Sequence, residues 1–147
     1  MDSHRILFYS HRDEYGQFSN FFAAQISLRG QVWPTTEHFF QAMKFEGSAY
    51  ADTIRTASSP GKAASLGRSR AHPLRPDWES AKYDLMKEAV RAKFTQHSDL
   101  RLMLLGTGEA ELVEHTEKDS CWADGGDGTG LNLLGKVLME VRAELRS

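Results

Sequence analysis

Glu37, Gln41 and Lys44 are four and then three residues apart in the segment Thr-Thr-Glu-His-Phe-Phe-Gln-Ala-Met-Lys-Phe, residues 35–45. On a helix this spacing puts a carboxylate, an amide and an ammonium on one face. Phe39, Phe40 and Met43 supply apolar surface on the same segment. A charged group on a helix suited to the core needs a partner or a task. The bland alternative is a solvated stripe with an ion pair, because charged helical faces are common.

A second group of residues lies late in the chain. Asp119-Ser-Cys-Trp122 is followed by Ala-Asp-Gly-Gly-Asp-Gly-Thr-Gly and then Leu131-Asn132. Glycines let the backbone approach a ligand closely. The loop opens onto a helix start, where free N–H groups and the dipole favour an anion. It is neither a P-loop, lacking Gly-Lys-Ser/Thr, nor an EF-hand loop, lacking the Asp spacing and closing Glu. A flexible loop with a capped helix is the plainer reading. Arg68, Arg70 and Arg75 cluster before Trp78. They read either as a solvated loop or as phosphate recognition by guanidinium forks. Trp78 and Trp122 suit the core or a platform for a flat ring. Asn20, inside Phe18-Ser-Asn-Phe-Phe22, must find partners if buried and could fix a loop or read a ligand edge.

No Cys/His pair has zinc spacing, so no metal is expected. Cys121 is the one cysteine, which excludes an intramolecular disulfide and suits a reducing, cytoplasmic setting. Beside a tryptophan it reads as a small packed residue rather than a nucleophile. The 147 residues carry 18 basic and 20 acidic side chains, which argues against broad nucleic-acid binding but leaves room for a local phosphate pocket. No apolar leader core stands in residues 1–10, and no run approaches the length of a membrane span.

The elements that must position these residues follow from patterning. Residues 6–10 are β-prone, and residues 25–33 alternate around Arg29-Gly30 as a hairpin. Helices are expected over 36–45, 49–57 and 61–66, the last with Ser59 as N-cap and Pro60 in its first turn. Residues 68–76 form a loop, Asp77 caps a long helix over 78–96, and Ser98 starts another that ends at Gly106. Residues 111–115 read as a short strand and 131–145 as an amphipathic helix. The expectation is one α+β domain over 1–147, mostly helical, with a small β element.

Taken in order, Phe18-Ser-Asn-Phe21, Trp33-Pro-Thr-Thr-Glu-His-Phe-Phe-Gln-Ala-Met-Lys-Phe45, residues 78–94 with Lys82, Met86 and Arg91, Leu112-Val-Glu114, Asp119-x-x-Trp122 and Gly128-x-Gly130-x-Asn132-x-Leu134-Gly135 resemble the NADAR family. The resemblance covers nearly the whole chain. It departs at Ala123, where the family usually has Gly after the Trp. It implies a compact, mostly helical fold with one pocket and an N-glycosidase activity without cofactor. In one branch the substrates are phosphoribosylamino-pyrimidines of riboflavin synthesis; in another, ADP-ribose is removed from modified guanine.

Both reactions break a bond between ribose C1 and a heterocycle-linked nitrogen, and positive charge develops on the sugar. A carboxylate near C1 can stabilise that charge and orient water. Glu37 takes this role, with Asp119 as second carboxylate. Lys44 protonates the leaving group or forms an imine with the opened sugar. Trp78 or Trp122 stacks on the base; Asn20, Gln41 and Asn132 bind hydroxyls or base edges; Arg68 or Arg91, with the loop of Gly128 and Gly130, holds phosphate. The partner is therefore a small phosphorylated N-glycoside, or ADP-ribosylated guanine, with no stable nucleic-acid or membrane partner. A non-catalytic ADP-ribose or nucleotide-binding module would need the stacking Trp and the phosphate loop but neither Glu37 nor Lys44.

Overall fold

The computed structural model describes residues 4–147, so the first three residues of the segment read for a leader lie outside it. The fold is α+β and mostly helical. Its order is β1 (Arg5–Phe8), a 3-10 turn (Gly16–Phe18), β2 (Ile26–Leu28), β3 (Gln31–Trp33), α1 (Thr36–Met43), α2 (Ala49–Arg55), α3 (Pro60–Gly67), α4 (Trp78–Gln96), α5 (Ser98–Gly106), β4 (Glu111–Glu114) and α6 (Leu133–Arg146). Two compact units share these elements: residues 4–22 with 94–147, and residues 23–93. None of the helices among the described residues is long and apolar enough to cross a membrane.

The contiguous unit opens with the hairpin. Leu28 pairs with Gln31, leaving Arg29 and Gly30 as a two-residue turn. Both have positive φ, at 55° and 77°, as a type I′ turn requires. An arginine there is strained. Its guanidinium is tied to Glu88 at 3.0 and 2.8 Å and to Glu46 at 2.6 Å, which helps hold the conformation. Trp33 then packs edge-on against Phe39 at 5.1 Å. α1 starts at Thr35, whose hydroxyl accepts the His38 N–H, and all eight residues of the helix are buried. α1 packs against α2 and α3.

In the other unit β1 runs parallel to β4, with Arg5 opposite Glu111 and Phe8 opposite Glu114. The two strands were legible one by one, but their pairing was not. Phe18 links Phe8 and Phe94, at 5.7 and 6.0 Å between ring centres. α6 packs on β4 and α5 through Leu134, Val137, Leu138 and Val141, which recur on one helical face. Arg142 is buried on that face too. Its guanidinium donates to Thr107 Oγ1 at 2.9 Å and to the Ala110 carbonyl at 2.8 Å.

α6 begins two residues later than the sequence pattern indicates, because Asn132 is left-handed, with φ 52°. Its side chain is used on β4: Oδ1 accepts the Glu114 N–H at 3.0 Å and Nδ2 donates to the Leu112 carbonyl at 2.9 Å. Gly135 lets the helix come this close, since an added Cβ would lie 2.0 Å from the Leu112 oxygen. Asn132→Ala removes both bonds from buried or half-buried backbone groups and places a Cβ-bearing residue without local hydrogen bonding in the left-handed region. The expected loss is about 2–4 kcal/mol of folding stability, measured by urea unfolding; a loss below about 1 kcal/mol would contradict this staple.

Candidate active site

The face anticipated on α1 exists, and it lies in the core rather than in solvent. Glu37 is 9% exposed and Gln41 8%. Gln41 Nε2 donates to Glu37 Oε2 at 2.7 Å. This pairing matters energetically. Each fully buried Phe of α1 contributes about 1.5–3 kcal/mol, and an unpaired buried carboxylate would cost several kcal/mol. The other end of the amide, Gln41 Oε1, is a buried acceptor with no hydrogen-bond partner. Gly67 of α3 packs directly on it: a Cβ there would lie 2.0 Å from Oε1.

Lys44, at the end of α1, reaches outward. Its ammonium donates to the Gly67 carbonyl at 3.3 Å and lies 5.8 Å from the centre of the Trp78 ring. Burial lowers its proton affinity below that of an ordinary lysine. The Glu37 carboxylate opposes this shift, and Arg68, Arg70 and Lys82 reinforce it. Lys44 lines a cavity of about 660 Å³ together with Gly67, Arg68, Arg70, His72 and Trp78. Trp78 is buried and packs on Phe40 at 5.0 Å, so one wall of the cavity is a fixed indole. Glu37 is not among the lining residues, so its carboxylate acts on the cavity through its field at Lys44.

His38, between Glu37 and Phe39, has a different use. Its Nδ1 is 2.9 Å from Thr35 Oγ1 and its Nε2 is 3.0 Å from the Ala57 carbonyl. With the proton on Nε2 both contacts are satisfied, and burial lowers the affinity for a second proton. The ring braces α1 against the end of α2.

The arginines separate by environment. Arg75 donates to Asp77 at 2.6 and 3.0 Å and to Glu46 at 2.8 Å, and its N–H binds the Lys44 carbonyl at 2.9 Å. It anchors the loop. Arg68 and Arg70 border the cavity, whereas Arg91 is exposed on α4 and is not among the lining residues.

The late loop, in the other unit, is knitted together by its own groups. Asp119 Oδ1 accepts the N–H groups of Cys121 and Trp122, both at 2.8 Å. Asp124 Oδ1 accepts those of Thr116 and Gly126, while its Oδ2 is 2.7 Å from His115 Nδ1. The expectation of free N–H groups at the helix start needs correction. Leu133 and Leu134 donate to the carbonyls of Cys121 and Trp122, and Gly130 donates to that of Asp124. Gly128 has φ 88°, and Gly130 is so close to Ala123 and Asp124 that a Cβ would lie 2.5 Å from the Ala123 oxygen. Asn132, expected to bind sugar or base, uses both ends of its amide on β4. Trp122 is half-buried in this loop, and Asn20 is half-buried in the turn after Phe18. Ala123, the departure from the family pattern, is fully buried without a positive φ, so this position does not require glycine.

The spacing of Glu37, Gln41 and Lys44 was readable in sequence. The cavity position of Arg70 and His72 was not, because nothing in their local pattern shows which way the loop faces.

The comparisons place this architecture among known proteins. A model of the NADAR domain matches residues 7–146. The chain is 55% identical over 140 residues to the N-glycosidase YbiA of Escherichia coli K12, covering 95% of this chain and 88% of that protein. The NMR structure of E. coli YbiA superposes with a TM-score of 0.92 at 53% identity, covering 99% of this chain and 87% of that one. A riboflavin biosynthesis protein of Vibrio vulnificus is 40% identical over 141 residues, which are 96% of this chain and 38% of that longer protein. Matched from strand β1 to the last turn of α6, the chain belongs to the NADAR family.

Proposed function

We propose that this protein is an N-glycosidase that hydrolyses the bond between ribose C1 and the amino nitrogen of phosphoribosylamino-pyrimidines, giving ribose 5-phosphate and a free pyrimidine. The observation that carries the reading is Lys44: an amine whose proton affinity is lowered by burial, on a cavity wall beside an indole, with a buried carboxylate seven residues back on the same helix. The riboflavin branch is favoured over removal of ADP-ribose from guanine by the name of the Vibrio relative and by a net charge of −2, which provides no broad attraction for a polynucleotide.

The chemistry follows from these groups. Neutral Lys44 Nζ adds to C1, the pyrimidine amine leaves with a proton, and the ring-opened sugar stays on the enzyme as an imine. Water then adds to the imine carbon, freeing the sugar aldehyde and restoring the amine. Glu37 stabilises the cationic imine and the charge that develops at C1. Gln41 holds that carboxylate in place. Trp78 forms a flat wall for the heterocycle. Arg68 is the phosphate candidate on the cavity. Asp119, Trp122, Gly128, Gly130 and Asn132 are assigned to the scaffold of their own unit, and no ligand contact is assigned to Asn20 or Arg91.

Glu37→Gln keeps the shape and removes the charge. A turnover loss of about 100-fold or more is expected, roughly 3 kcal/mol of transition-state stabilisation, with the variant still folded by circular dichroism. Near-normal turnover in that variant would remove Glu37 from the reaction.

Borohydride added during turnover should fix the mass of the reduced sugar on the peptide that contains Lys44. Only the neutral amine attacks, and burial makes it available at a lower pH than for an exposed lysine. Trapping should therefore rise with pH through an inflection below the ordinary lysine value. Absence of an adduct, with Lys44→Arg still active, would leave Lys44 a purely electrostatic role.

No group of three or more His, Cys, Asp or Glu side chains among the described residues could hold a metal ion. Turnover should accordingly survive exhaustive chelation. Its loss with EDTA and recovery on adding a divalent ion would show that a metal takes part.

A further inference from the structure

The 660 Å³ cavity has an unbalanced charge. Lys44, Arg68 and Arg70 line it, His72 stands beside them, and the single lining carboxylate, Glu79, is bonded to Lys82 at 2.7 Å. Arg68 and Arg70 make no ion pair or side-chain hydrogen bond among the described residues. Arg29 and Arg75 differ sharply, since each is held by two carboxylates. Two unpaired guanidiniums next to an ammonium on a concave wall repel one another, and a bound anion relieves that repulsion. Guanidinium forks match phosphate oxygens in geometry as well as charge.

The loop that carries them is also held from behind. The His72 ring stacks on Tyr50 with 3.6 Å between centres and 9° between planes, and Phe45 meets Tyr50 edge-on at 5.0 Å. Tyr50 Oη donates to the Leu66 carbonyl at 2.7 Å, at the other edge of the loop. Between these anchors the Ala71 N–H binds Ser69 Oγ at 3.1 Å, which tightens the turn. At the far end the Arg75 N–H binds the Lys44 carbonyl. A loop fixed at both ends presents its guanidiniums at a lower entropic cost of binding.

The geometry points to residues 68–72 as a clasp for the phosphate monoester of a small sugar, with Arg70 as the second guanidinium beside Arg68 and the Tyr50–His72 stack as the device that positions them. The inference rests on the N-glycosidase reading for the sugar but not for the anion. Arg70 touches the ligand; His72 and Tyr50 are positioning residues.

The test is direct binding, by calorimetry, of ribose 5-phosphate, ribose and inorganic phosphate, with turnover measured separately. Ribose 5-phosphate should bind at least 30-fold more tightly than ribose. Inorganic phosphate should bind more weakly than the sugar phosphate and compete with it. Arg70→Ala should weaken ribose 5-phosphate by about ten- to hundred-fold and raise KM, while kcat falls less than threefold. His72→Ala should raise KM as well, and His72→Phe, which keeps a flat ring on Tyr50, should restore it. Circular dichroism confirms that each variant is folded. Equal binding of ribose and ribose 5-phosphate, or unchanged binding in folded Arg70→Ala, would overturn the clasp. Failure of His72→Phe to rescue would overturn the positioning stack. Arg70-dependent binding without turnover of any phosphoribosylamino-pyrimidine would uphold the clasp and overturn the choice of those substrates; turnover with an indifferent Arg70 would do the reverse.

Discussion

A carboxylate on a helix with no solvent face must be satisfied from within the helix or from its neighbours, and α1 solves this with Gln41. The bond of 2.7 Å from Gln41 to Glu37 holds the carboxylate within its own helix. The rest of the contiguous unit is arranged around this helix. Thr35 and His38 brace its start, Trp33 and Phe39 seal one side, and α3 approaches so closely at Gly67 that a methyl group there would overlap the amide of Gln41. The orphaned Gln41 oxygen carries a penalty of about 1–3 kcal/mol. That penalty is the cost of turning the NH2 end toward Glu37.

The same helix ends in an amine that the environment partly discourages from being charged. Burial and two guanidiniums lower the proton affinity of Lys44, and Glu37 limits how far it falls. Structural lysines usually reach toward water and keep their ordinary affinity. Desolvation on a cavity wall, tempered by one defined counter-charge, is the arrangement expected where an amine must be both a base and a nucleophile. The proposed function follows from this balance of opposing effects more than from any single contact.

Much of this was legible in the chain. α4 and α5 begin and end where the periodicity and flanking residues indicate, because Asp77 and Ser98 give local start signals and the breaks at Pro76 and Gly106 are local too. The hairpin turn was visible in Arg29-Gly30, since a positive φ at Gly is a local preference. The spacing of Glu37, Gln41 and Lys44 indicated a shared face because helical geometry is fixed. What could not be read is tertiary. The pairing of β1 with β4 joins strands about a hundred residues apart. The glycine loop resembled an anion cradle because its composition does not reveal that carbonyls of residues 121 and 122 already accept the first helix N–H groups. Arg68, Arg70 and Arg75 looked alike in sequence, and only the placement of Glu46 and Asp77 makes Arg75 an anchor and leaves the other two facing the cavity.

The parallel β1–β4 ladder also constrains the order of events during synthesis. Its first strand is made about a hundred residues ahead of its partner, which begins at residue 111. The hairpin and helices α1 to α3 lie wholly between the two strands, in one continuous stretch. While the ladder waits, Ile6 and Phe8, both buried in the finished protein, lack the partner strand, and their apolar surface is open to water or to a chaperone. The arrival of β4 thus sets the moment at which β1 can be covered.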